Sequence, residues 1–294
     1  MAPVALRYAA ATPLAFATAD LESHVAVIDL VHGLVVKRID TLPSPFSIER
    51  VGDRAVVAHT VSGAVSILDS RRLAVAHVVH GIAEPRYTAS AGDGRHAFVT
   101  DSGRSELVTL DVLRGQIVGR LKLTQWPRHL SLSPDGRTVW LGLGTSSPVM
   151  DVVDVSDPRR PVHTETVKPP FLAHDVAFAP SGRVWITAGE AQSIAVHGGP
   201  VLAADGAPQH VTFMDGRAFV ASGASGTLRV YDERSARLLT TTRIPAGSFN
   251  VQFAAGRVLT PSLQEGTLCV LDRDGRTIHR VHVASSSHDA CLAR

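Results

Sequence analysis

Apolar residues along this chain come in short runs rich in β-branched and aromatic side chains, each ended by Gly, Asp, Ser or Pro. That is the pattern of β-strands separated by tight turns. The runs repeat. Phe16 to Asp29 (FATADLESHVAVID) matches Phe98 to Asp111 (FVTDSGRSELVTLD) and Phe219 to Asp232 (FVASGASGTLRVYD). Looser copies span Val56 to Asp69, Trp140 to Asp154, Trp185 to His197 and Leu259 to Asp272, giving seven in all. A long fixed period marks a repeat architecture, in which one unit cannot bury both of its faces alone and neighbours must stack.

Each copy is preceded by a further run and a Gly-containing turn, as in LSLSPDGR (130–137), VAFAPSGR (176–183) and TASAGDGR (88–95). Gly supplies the positive φ that such hairpin turns need. An Asp, a few polar residues and an outer run such as LVVKRID, QIVGRLKL or RLLTTTRI follow each copy. The unit is therefore four antiparallel strands, and the predicted fold is all-β: a seven-bladed β-propeller formed as one domain by residues 1–294.

Innermost strands marked from Pro45, Pro85, Pro127, Ala173, Pro208, Ser248 and Ser287 recur at 35 to 46 residues. The first blade lacks such a strand ahead of Phe16, whereas SHDACL (287–292) is similar to AHDVAF (173–178), which opens the fifth blade. The segment from Ser287 is thus expected to complete the first blade and close the ring without leaving an open sheet edge. Residues 1 to about 12 have no place in this blade count.

The stretches AFVTDSGRSELVTLD (97–111) and LSPDGRTVWLGL (132–143) resemble the YVTN-repeat, lactonase-like propellers of bacteria, and VVDVSDPRRPV (152–162) resembles the related LVIVD repeat. The resemblance extends over essentially the whole chain and implies the propeller fold. It does not select a function, because these families include enzymes, redox-protein subunits and binding proteins. The fifth blade departs most from the pattern, with His197 and GGPVLAADGA where other copies carry an Asp and a polar turn.

Charge is nearly balanced, 29 Lys+Arg against 27 Asp+Glu, and the basic residues are scattered rather than gathered into a stripe, so nucleic acid is not an expected partner. No apolar stretch is long enough to span a bilayer, and no membrane partner is expected. The start of the chain imitates a signal peptide at Ala17-Thr18-Ala19, but it lacks a cationic n-region and Leu14 to Asp20 fits the strand repeat. The expectation is a cytoplasmic protein, or an exported one from which a leader has been removed. Cys269 and Cys291 sit in apolar runs and read as buried free thiols.

In a propeller the residues that open the innermost strands surround the central channel. Two places after each strand-start marker stand Ser47, Tyr87, His129, Asp175, His210, Asn250 and Asp289, and immediately before these stand Phe46, Arg86, Arg128, His174, Gln209, Phe249 and His288. Three readings are open. A water-filled channel mouth needs polar lining whatever its function. Alternatively His129, His210, Asp175 and Asp289, with His174 and His288 nearby, form a divalent-metal or acid/base centre, since imidazole and carboxylate are ligands for Zn, Mn, Fe or Ni. Or Arg86 and Arg128 lead an anion site. Tyr87, Asn250, Arg86, Arg128, His174 and His288 are candidate ligand-binding residues in any of the three.

The lactonase resemblance implies acidic and Asn calcium ligands, for which Asn250, Asp175 and Asp289 are the available residues, but the histidines suit a hard cation poorly. Serine-hydrolase chemistry lacks a Gly-x-Ser-x-Gly elbow. His59 reads as a strand-end histidine, and Trp126, Trp140 and Trp185 as packing residues. The function expected is binding of a small molecule or protein partner at the polar channel mouth. The alternative is a metal-assisted lyase or hydrolase acting on a small oxygenated or anionic, lactone-like substrate.

Overall fold

The computed structural model describes residues 12–294. The unplaced stretch at the start of the chain, up to residue 11, lies outside them. All regular structure among the described residues is β, in seven four-stranded antiparallel sheets. Six sheets are consecutive in the chain. The remaining one, blade one, has the order Ala290–Leu292, Leu14–Ala19, His24–Asp29, Leu34–Asp40. Ala290, Cys291 and Leu292 pair with Ala17, Phe16 and Ala15, so the closure expected from the SHDACL segment is present.

Each innermost strand lies beside those of the two neighbouring blades, and Ala290–Leu292 is wedged between Ile48–Val51 of blade two and Gln252–Ala254 of blade seven. The hydrophobic core is correspondingly divided into seven clusters, one between each pair of blades. Phe16, Phe98 and Phe219, which head the second strand motif in blades one, three and six, are wholly buried. The outer strands alternate exposed and half-buried residues, because only one edge and part of one face meets protein there.

The Asp that ends the third strand in most blades has a physical task. Asp29 Oδ1 accepts the backbone N–H groups of Val31 and His32, and Asp69 and Asp111 do the same for the residues two and three places on. These Asx turns fix the hairpin to the outer strand. Blade five, without the Asp, turns instead through a backbone bond from Val196 N to the Pro200 carbonyl. Both cysteines are free and buried, as expected. Trp185 and Trp140 pack in cores, but Trp126 is 37% exposed beneath the Arg86 guanidinium, so its reading as a packing residue is corrected. Among the described residues no helix is long and apolar enough to cross a membrane.

Candidate metal centre on the ring axis

The seven axial positions predicted from the repeat are all buried. Six of them, Tyr87, His129, Asp175, His210, Asn250 and Asp289, line one central cavity of about 280 Å³. Ser47 does not; Glu49, two residues further on and inside the strand Ile48–Val51, lines it for blade two. The cavity runs on from this ring along the innermost strands, past Ser90, Leu132, Phe178 and Phe213. Arg86, Arg128, His174 and His288 directly precede ring residues in sequence and are not part of that lining.

Three imidazoles converge. His129, His174 and His210 offer nitrogen atoms that all lie within 4.8 Å of one another, and all three side chains are buried. They come from blades four, five and six. Hydrogen bonds around them assign the tautomers. His174 Nδ1 donates to the Thr145 carbonyl at 2.8 Å, which leaves its Nε2 unprotonated. Arg128 Nε donates to His129 Nε2 at 3.1 Å, so that nitrogen is also a bare lone pair. The two Nε2 atoms face each other at 3.2 Å. His210 Nδ1 meets Asp175 Oδ2 at 3.0 Å, which orients its Nε2 away from the carboxylate. Asp175 Oδ1 lies 3.7 Å from His129 Nδ1. Thus Asp175 lies beside the Nδ1 atoms of two imidazoles, close to the carboxylate–histidine arrangement that orients metal ligands.

Electrostatics favour the neutral, ligating form of the rings. Burial, with the neighbouring His210, His174 and Arg128, holds His129 well below the usual imidazole range. Burial and the same neighbourhood bring His174 down to about 3. Neutral imidazoles with opposed lone pairs repel one another, and a cation between them relieves that repulsion.

The other predicted residues surround this centre without joining it. His288 Nδ1 donates to the Phe46 carbonyl at 3.1 Å and its ring stacks on Phe46 with centroids 3.7 Å apart; burial lowers its pKa to about 3. Its Nε2 lies 3.4 Å from the Tyr87 hydroxyl, and the Tyr87 ring in turn covers His129 at 3.9 Å. Asp289 accepts backbone N–H bonds on both oxygens, from Ile48 at 2.9 Å and Ala290 at 2.8 Å. Its carboxyl is raised to about 7 by burial, and Glu49, raised to about 8 by burial and by Asp289, shares the channel with it. Asn250 uses Oδ1 on the Val251 N–H and leaves Nδ2 buried with no partner among the described residues. Arg86 is paired with Glu84 at 2.5 Å. His59, buried, is satisfied by the Pro43 carbonyl and Ser66, a strand-end histidine as read.

His174 stands one place before its strand, next to the isolated Ser147–Ala173 bridge, with its ring centroid 4.7 Å from that of His129. The repeat comparison therefore picks out His129, Asp175 and His210 as one set and leaves His174 in the neighbouring one. Glu49 was legible from the period-two rule along blade two.

No protein-family model matches the chain, and no curated protein matches it. Among solved structures, hydrazine synthase of Kuenenia stuttgartiensis superposes with a TM-score of 0.75 at 16% identity, covering 88% of this chain and 92% of that one. AztD from Citrobacter koseri, solved in its apo form, superposes with a TM-score of 0.71 at 12% identity, covering 96% and 98%. At these identities the likeness is one of fold. The YVTN and LVIVD likeness accordingly rests on the repeat residues alone.

Proposed function

We propose that this propeller is a binding protein whose axial site holds one divalent transition-metal ion on His129, His174 and His210, with Asp175 positioning two of the rings. The observation that supports the reading is the facing pair of unprotonated nitrogens, His129 Nε2 and His174 Nε2, with His210 beside them. An all-imidazole donor set suits Zn, Cu, Ni or Fe and disfavours Mg and Ca. In this reading Asp289 is a strand clamp, and Asp175 orients ligands through their N–H groups.

The test is elemental analysis of protein purified without a His-tag, followed by titration with Zn²⁺, beside a His129→Ala, His210→Ala double variant. One equivalent of metal in the parent, lost in the double variant, supports the site. A parent that takes up none of Zn, Cu, Ni or Fe overturns it.

A second reading, metal-assisted lyase or hydrolase action on a small oxygenated substrate, draws on the three-protein-ligand count, which leaves one position open on a tetrahedral ion. The unpartnered Asn250 Nδ2 and the Glu49 and Asp289 carboxyls in the same cavity would supply a donor and proton-carrying groups. Turnover of a lactone or related ester that is lost in His174→Ala would favour it over binding alone.

A further inference from the structure

Arg128 is the one strong cation directly hydrogen-bonded to the axial imidazoles, and it has no carboxylate within ion-pair distance among the described residues. Arg86, at the equivalent place in blade three, differs: Glu84 neutralises it and Trp126 lies under it at 5.5 Å. Arg128 instead donates through Nε to His129 Nε2, with a further long bond from Nη1 to Thr145 Oγ1 at 3.4 Å and the neutral Tyr87 hydroxyl also beside its guanidinium. An arginine whose best partner is a neutral imidazole is an unsatisfied cation, because guanidinium forks match carboxylates and other oxyanions far better.

The His129 lone pair cannot serve both the guanidinium and a metal. Metal binding therefore detaches Arg128 Nε from His129 and leaves a positive, planar donor beside the ion. The loaded centre then combines a divalent ion, the Arg128 charge, neutral imidazoles and the one Asp175 carboxylate beside them, an excess of positive charge. Three protein ligands also leave the ion one position short of a tetrahedron.

We infer that Arg128 and the metal together form a site for a small carboxylate, one oxygen on the ion and the other on the guanidinium. This deepens the metal-binding reading and rests on it. It assigns Arg128 two successive roles: it occupies His129 before the ion arrives, and it holds the anionic ligand afterwards. A planar carboxylate is favoured over tetrahedral phosphate because it presents two oxygens in one plane to the guanidinium fork.

The experiment loads the full chain with Co²⁺, counts the bound metal by elemental analysis, and follows the visible d–d absorption while acetate, glycolate or phosphate is added. The same series is run on Arg128→Gln, Arg128→Lys and, as a remote control, Arg257→Gln. The expected result is a saturable change with acetate and glycolate, weakened by about tenfold or more in Arg128→Gln, intermediate in Arg128→Lys and unaltered in Arg257→Gln. Arg128→Gln should bind Co²⁺ at least as tightly as the parent, because the competing bond to His129 is gone. Full cobalt loading with no response to carboxylate, with equal affinity in parent and Arg128→Gln, or with phosphate preferred, overturns the carboxylate site and leaves the metal site standing. Failure of the parent to take up cobalt overturns both.

Discussion

Asp289, near the end of the described chain, accepts the backbone N–H of Ile48 at 2.9 Å, tying the strand that completes blade one to the first strand of blade two. Through Thr18, whose hydroxyl accepts the Asp289 N–H, the same residue is tied to blade one itself. Ring closure therefore rests on a few backbone pairs and one buried carboxyl. Deleting residues 287–294 should lower the melting temperature sharply or cause aggregation, since it unpairs Ala15–Ala17 and uncovers Phe16. Asp289→Ala should cost about 2 kcal/mol in urea unfolding by leaving the Ile48 and Ala290 N–H groups unpaired. A truncated chain that melts like the parent would refute the closure argument.

The buried histidines and carboxyls pull stability in opposite senses with pH. His174 and His288 are lowered from 6.5 to about 3, and His129 is lowered as well, so the unfolded chain binds more protons than the folded one below pH 6.5. Stability from His174 and His288 is lost as the pH falls from 6.5 toward 3, and His129 acts in the same direction. Glu49 and Asp289, raised to about 8 and about 7, do the reverse: the folded chain holds their protons longer, and stability is lost as pH rises from the ordinary carboxyl range to about 8. Three histidines outweigh two carboxyls on the acid side, and above 6.5 the carboxyls prevail, joined at the alkaline end by the raised thiols of Cys269 and Cys291. Urea unfolding of the metal-free protein from about pH 5 to about pH 9 should show a maximum near 6.5. Glu49→Gln should flatten the alkaline limb; an unaltered limb would remove Glu49 from the account.

Asp175→Asn tests the positioning of the imidazoles. Loss of the carboxylate that faces His210 Nδ1 and His129 Nδ1 should weaken Zn²⁺ binding by about 10- to 100-fold in a chelator competition while the stoichiometry stays at one. Unchanged affinity would show that the rings are oriented without it.

Gly266 closes the second hairpin of blade seven with φ at +61°, and a Cβ there would overlap the Ala284 carbonyl oxygen. Gly266→Ala should therefore cost more than about 2 kcal/mol in urea unfolding, through both backbone strain and displacement of the 284–285 backbone. A loss below about 0.5 kcal/mol would mean that the segment yields freely.

The fold was legible because its determinants are local and repeated: Gly at the turns, Asp29, Asp69 and Asp111 as Asx caps, and Phe16, Phe98 and Phe219 at the blade interfaces. The axial ring was legible for the same reason, as equivalent positions in equivalent strands converge. What could not be read were departures from the repeat. His174, named only as a neighbour of the centre, is one of its three converging imidazoles, next to the isolated Ser147–Ala173 bridge, and Asp289 accepts the Ile48 N–H, which only the closed ring brings near, beside that of its own neighbour Ala290. The tautomers depend on the Thr145 carbonyl and on Arg128, partners that no spacing rule predicts.

The contrast between inner and outer strands has a mechanical consequence. Each blade is a stiff plate with one edge at the axis and the other in solvent, so a small tilt of a blade moves its rim through a long arc and its axial residues through a short one. Substitutions and loop changes along exposed outer strands such as Leu34–Asp40 or Leu238–Arg243 are thereby demagnified before they reach His129, His174 and His210. The rim is free to vary in shape and chemistry while the hub keeps its interatomic distances, as a wheel keeps its bearing true when its tread is worn.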